Sequence, residues 1–168
     1  MKLKVYGLMM IIGAWVFLSS TSAYCQTFGE YKEAGDKCLR SGKSAIAIDE
    51  YKKALELNPG STAVTFNLAI AYYKERNLKE TISALERIVQ LDPNDTEAYY
   101  NLGCLKLYQR NFEAARDCFK RAQACCGTNP NFACTIEQTL EFVGKLKTLD
   151  PQTQSAVLLS LATRSLLQ

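Results

Sequence analysis

Residues 51–59 read YKKALELNP and residues 85–93 read LERIVQLDP. Both stretches open on a large apolar residue. Both place an apolar residue three positions later, and both end in Leu, an amide or acid, and Pro. Pro59 and Pro93 lie 34 residues apart. The same interval recurs on either side: Ala34-Gly35, Leu68-Ala69 and Leu102-Gly103 fall in register, as do Tyr51, Leu85 and Phe119, and Ala54, Ile88 and Ala122. Three copies at one fixed spacing, with no insertion, mark a chain built from stacked supersecondary units.

Each unit holds two helix-length segments broken by a turn signal: Ser41-Gly42, Arg76-Asn77 and Arg110-Asn111. In unit one the second segment carries Ile46, Ala47, Ala54 and Leu55 at helical spacing, which predicts that this stripe is buried. Gly35, Ala47 and Ala54 are small where two antiparallel helices must approach closely. Pro59 and Pro93 end the second helices, since proline lacks the amide donor and clashes with the preceding turn. Asp95 and Thr96 are suited to cap the helix that follows. One helical pair cannot cover its own apolar face, whereas a stack of them can. The expectation is an all-α superhelix.

These positions resemble the tetratricopeptide repeat family, whose marks at this period are an aromatic, a Leu-Gly pair, a small residue, a second aromatic, another small residue and a proline. Unit one (28–61) shows Tyr31, Ala34-Gly35, Ala47, Tyr51, Ala54 and Pro59. Unit two (62–95) shows Leu68-Ala69, Tyr72, Leu85 and Pro93, and unit three (96–129) shows Tyr99, Leu102-Gly103, Ala115, Phe119 and Ala122. Unit two departs at Thr65, Thr81 and Ile88; unit three departs at Lys106 and Gly127; unit one has Cys38 where a tyrosine is usual. The resemblance implies that the first helix of each unit lines a concave groove. Carried over by position, the groove holds Lys32, Asp36, Phe66, Asn67, Ile70, Tyr73, Tyr100, Asn101, Cys104 and Tyr108. The four aromatics are natural anchors for a protein or peptide partner. Chaperone-binding members of the family grip a peptide C-terminus with Lys, Asn and Arg side chains. Here Lys32 and Asn67 match, but Asp36 stands for an asparagine, Glu97 for a lysine and Asn101 for an arginine, and acids repel a carboxylate.

The ends of the chain read differently. Lys2 and Lys4 precede an apolar run from Val5 to Leu18, followed by small polar residues through Ala23, which is the order of a signal peptide. Cleavage after Ala23 or after Cys25, an uncleaved membrane anchor over 1–25, and lipidation of Cys25 all fit that stretch. Export to the periplasm, cell envelope or secretory space follows from the first two. From Pro130 to the end the period is lost. Ile136, Leu140, Val143 and Leu146 have helical spacing, Asp150-Pro151 is a helix start, and 132–149 reads as a degenerate copy of a second helix. Residues 130–168 are therefore expected to cap the stack, to fold back into the groove, or to join copies of the chain.

Composition narrows the chemistry. There are 20 Lys+Arg against 17 Asp+Glu, and loss of Lys2 and Lys4 would leave 18 against 17, too balanced for a nucleic-acid footprint. Histidine is absent, which removes the commonest general base and the commonest zinc ligand. Seven cysteines are present; without Cys25 six remain, with Cys125, Cys126 and Cys134 best placed for a local disulfide. Gly42-Lys43-Ser44 echoes the tail of a phosphate loop, but Lys37 stands where that loop needs glycine. The pairs Glu113/Asp117 and Glu137/Glu141 sit on polar helix faces, and Asn94-Asp95-Thr96 is a glycosylation sequon. No catalytic residue, metal ligand or cofactor site is expected. The reading is an exported scaffold with a protein-binding groove; the alternative is an envelope assembly subunit that self-associates through its C-terminal helix.

Overall fold

The computed structural model describes residues 27–127 and 130–157. The leader reading, Cys25, and the leucines from Leu158 onward lie outside them. The described chain is helical: α1 (Phe28–Arg40), α2 (Ser44–Leu57), α3 (Thr62–Lys74), α4 (Leu78–Leu91), α5 (Thr96–Tyr108), α6 (Phe112–Cys125), α7 (Pro130–Lys147), then a helical segment over 151–157. Consecutive helices pack as antiparallel neighbours, α1 on α2, α3 on α4 and α5 on α6 within units, α2 on α3 and α4 on α5 between them. None of the described helices is long and apolar enough to cross a membrane.

The repeat is visible in the caps. Thr27, Ser61 and Asp95, spaced by the period, each accept from the backbone amide three residues on. Thr27 completes a capping box, with its own amide donating to Glu30. Asp95 is the cap; Thr96 is the first helical residue. Each first helix ends in the same turn, where Lys43, Asn77 and Asn111 amides donate to the Cys38, Tyr72 and Lys106 carbonyls at 2.9 Å. That turn needs one left-handed residue: Gly42 in unit one, but Arg76 (φ 58) and Arg110 (φ 62) in the others.

Within a unit, the aromatic of the second helix lies against the small residue of the first. A Cβ placed on Gly35 would stand 2.5 Å from the Tyr51 ring, and one on Gly103 would stand 2.5 Å from the Phe119 ring. Unit two solves the same problem with a smaller pair, Ala69 and Leu85, both buried. Its polar intruders are satisfied locally: buried Thr65 and Thr81 donate to the Ser61 and Asn77 carbonyls, each at 2.8 Å. Ala47, Ala54 and Leu55 are buried as expected, but Ile46 is 50% exposed. It sits one residue, about 100° of helix, away from the stripe formed by Ser44, Ala47, Tyr51 and Ala54.

The segment after unit three is not a second-helix copy. α7 packs on α6 as α3 packs on α2, the place of a fourth first helix. Ile136, Val143 and Leu146 are buried there and Leu140 is half-buried. Asp150 accepts from the Gln152 and Thr153 amides at 3.0 Å and so caps the 151–157 segment. Gln154 then donates back to the Leu146 and Leu149 carbonyls, and Arg110 donates to the Pro151 carbonyl and the Ser155 hydroxyl. The start of this last segment is thus fastened to the end of α7 and to the turn between the two helices of unit three. Cys125 and Cys134 are thiols with different neighbours: Cys125 Sγ faces the Pro93 carbonyl at 3.7 Å, and Cys134 accepts from Gln138. The local bridge expected in this region does not join these two.

Gly103→Ala is expected to lower stability. Overpacking costs about 1–3 kcal/mol, helix propensity returns about 1 kcal/mol, and the net loss should be up to about 2 kcal/mol in urea unfolding. Adding Phe119→Leu, which reproduces the Ala69/Leu85 pair, should recover part of it, with a coupling of at least about 0.5 kcal/mol in the double-mutant cycle.

Candidate functional site

The first helices α1, α3 and α5 stand side by side, and the structure brings three of the sequence-picked residues together on them. Asp36, on the third turn of α1, accepts from three donors. Lys32 Nζ lies 2.8 Å from its Oδ2, and Tyr51 Oη and Asn67 Nδ2 lie 2.8 and 2.9 Å from its Oδ1. Helical spacing of four residues delivers Lys32 to Asp36. The close helix contact permitted by Gly35 delivers the Tyr51 hydroxyl, and the register of unit two on unit one delivers Asn67. One carboxylate therefore ties α1 to α2 and to α3.

The electrostatics follow from that geometry. Burial alone would raise the Asp36 carboxyl. The Lys32 ammonium, the Tyr51 hydroxyl and the Asn67 amide outweigh it and hold the carboxyl below its ordinary value. Tyr51 is pushed the other way, first by burial and then by the facing carboxylate, so its hydroxyl stays a donor well into alkaline solution.

The other groove residues divide. Tyr73 and Tyr108, on the last turns of α3 and α5, are 44% and 60% exposed. Asn101 and Ile70 are half-buried, and Glu97 is exposed. Phe66 and Tyr100 are not free anchors. Phe66 packs against the unit-two core around Ala69, Leu85 and Ile88. The Tyr100 ring lies 5.5 Å from Phe119 and 5.4 Å from Phe132 of α7. They face inward because their place on the helix surface abuts the next element, and a ring there gains more from burial than from water. α7 thus covers the groove at Tyr100, while Tyr108 at the far end of α5 and Tyr73 of unit two stay open. Cys104 remains accessible, yet desolvation by the protein around it pushes its thiol up to about 11, so it is no thiolate at neutral pH.

Sequence reasoning missed Tyr51 as part of this site and treated it as packing alone. The signal was present: unit three has Phe119 in the same slot, and a hydroxyl added to a buried ring needs a partner. Away from the groove, a shallow cleft of about 470 Å³ lies between α2, α3 and α4, lined by Leu55, Tyr72, Glu80 and Arg87 among others. Arg87 crosses its edge to the Pro59 carbonyl at 2.6 Å. Among the described residues no group of three or more Cys, Asp or Glu gathers as a metal site would require.

Two tetratricopeptide repeat family models match the chain, at residues 39–102 and 96–124, together just over half its length. The chain belongs to the tetratricopeptide repeat family. Its relatives include the Hsp70-Hsp90 organizing protein of Triticum aestivum, 25% identical over 116 residues that make up 69% of this chain and 20% of that protein. The E3 ubiquitin-protein ligase CHIP of Arabidopsis thaliana is 25% identical over 126 residues, 75% of this chain and 45% of that protein. The chain spans about a fifth of the length of the organizing proteins it matches. Among solved structures, the first repeat domain of Spaghetti (RPAP3), bound to the HSP90 peptide SRMEEVD, is 27% identical with a TM-score of 0.58, over 69% of this chain and 94% of that one. The Yersinia enterocolitica chaperone SycD, in complex with a peptide of the translocator YopD, shares the fold with a TM-score of 0.65 at 15% identity, over 72% of this chain and 94% of that one. The chain is an all-α protein-interaction scaffold.

Because the folded Asp36 pKa is depressed, its contribution to stability is present above the ordinary aspartate range and is lost as pH falls through the folded value. Acid titration of unfolding free energy should therefore be steeper below about pH 4 for the wild type than for Asp36→Asn. Equal slopes would mean that the three donors do not act on Asp36 in solution.

Proposed function

We propose that this repeat protein acts outside the cytoplasm, in the periplasm, cell envelope or secretory space, and holds a protein or peptide in the groove formed by α1, α3 and α5. The observation that carries the groove reading is the exposure of Tyr73 and Tyr108 on the C-terminal turns of α3 and α5. Two large aromatic side chains kept in water on a face whose other aromatics are packed away make natural anchors. The polar network around Asp36 fixes unit one against unit two and so presents this face in one shape, which spares a partner part of the cost of ordering it. The export reading rests on the leader-like order of residues 1–25. Relatives that bind HSP90 or translocator peptides, as their structures are described, support the mode of binding; the partner of this chain is a separate matter, because function belongs to the site and not to the fold.

Capture from native envelope extract tests the proposal. The wild-type chain is compared with a Tyr73→Ala, Tyr108→Ala variant, since these two are open while Phe66 and Tyr100 support the core. A partner held by the wild type and weakened at least about tenfold in the variant, at unchanged helicity, is the expected result. A partner held equally by both would move the binding face off the groove. N-terminal sequencing of the protein from its native source should begin at Tyr24 or Gln26; recovery of an intact N-terminus from the cytoplasm would overturn the export reading.

A further inference from the structure

We propose that Asp36 is a built-in carboxylate filling an anion-binding subsite of the groove, so that the partner enters as an internal segment and not by its C-terminal carboxylate. The inference rests on the groove being the binding face. Its evidence is a convergence of donors. An ammonium, a phenol hydroxyl and a carboxamide, from three helices, meet on one carboxylate at 2.8–2.9 Å. Three donors aimed at one point are what recognition of a free carboxylate requires. Here the carboxylate belongs to the chain.

Two physical consequences make this a matter of partner choice. First, Asp36 is tethered four residues from Lys32 on the same helix, so its local concentration at the donors is far above that of any peptide in solution. An incoming carboxylate would have to displace it and would meet its negative charge in doing so. Second, exposed Glu97 on α5 adds another negative charge to the rank of first helices, while Lys32 is already paired with Asp36. A segment crossing this face therefore brings amide or cationic donors, which can use the accepting capacity left on Asp36 and Glu97. Exclusion of the wrong partner is achieved by an internal charge, a form of specificity that needs no additional contact with the right one.

The test uses the peptide SRMEEVD, with a free C-terminus and as its C-terminal amide, titrated by fluorescence anisotropy into the full chain. The wild type should bind the free acid no more tightly than the amide. Asp36→Asn, which removes the internal charge and releases Lys32, should bind the free acid at least tenfold more tightly than the wild type and should prefer it over the amide. Asp36→Ala serves as the second variant, with helicity checked for both. Tighter binding of the free acid than the amide by the wild type would overturn the proposal, and so would the absence of any gain in both folded variants. A gain shared equally by acid and amide would also overturn it, since the carboxylate would not be what is recognised. Failure of the groove reading looks different: there the native partner survives loss of Tyr73 and Tyr108, whatever Asp36 does.

Discussion

The rings of Tyr51 and Phe119 lie against helix backbone at positions where even a methyl group would collide with them. That contact sets how close the two helices of a unit can come, and the rest of the architecture depends on the distance it sets. A closer pair narrows each unit, and narrow units stack with their first helices side by side. Unit two fills the same two slots with Ala69 and Leu85, a methyl on one helix against a smaller side chain on the other. A packed interior transmits such a constraint because it has little void to absorb a misfit.

The functional face is a by-product of this packing. Gly35 lets the Tyr51 ring cross beneath α1, and the ring carries its hydroxyl to Asp36. Had the ring been that of phenylalanine, as in unit three, Asp36 would keep only Lys32 and Asn67. Polar satisfaction and helix spacing are thus coupled in unit one, a coupling unit three lacks, where the Tyr100 ring instead lies tilted against Phe119 and Phe132. The groove is consequently polar and internally neutralised at its first unit, aromatic and open at the ends of its second and third, and covered by α7 only around Tyr100. A partner is offered a different chemistry at each step along one rigid surface.

Much of this was legible in the residues. The period, the turns between helices, the cap at Asp95 and the close approach at Gly35 follow from local rules. Misreadings arose where a decision depended on neighbours outside the repeat. Phe66 and Tyr100 occupy groove positions by register, but whether a ring there stays open depends on what packs beside it, and for Tyr100 that neighbour is Phe132 of the non-repeating α7. α7 itself was read as a second helix because Leu149-Asp150-Pro151 imitates the end of one; its packing on α6 is a tertiary fact with no local signature. Asp36 was visible as an unusual acid among groove residues, whereas the three donors that satisfy it come from positions 4, 15 and 31 residues away and only the first spacing carries a local rule.

The first unit of the groove depends on Asp36 being ionised and held by three donors at once. The most direct measurement is an NMR pH titration that follows the Asp36 carboxyl carbon together with the Asn67 side-chain amide. Asp36 should titrate below the ordinary aspartate value, and the Asn67 amide signals should move with it at the same midpoint. An Asp36 that titrates as a free aspartate, with Asn67 indifferent to it, would contradict the built-in anion and leave the groove open to carboxylates.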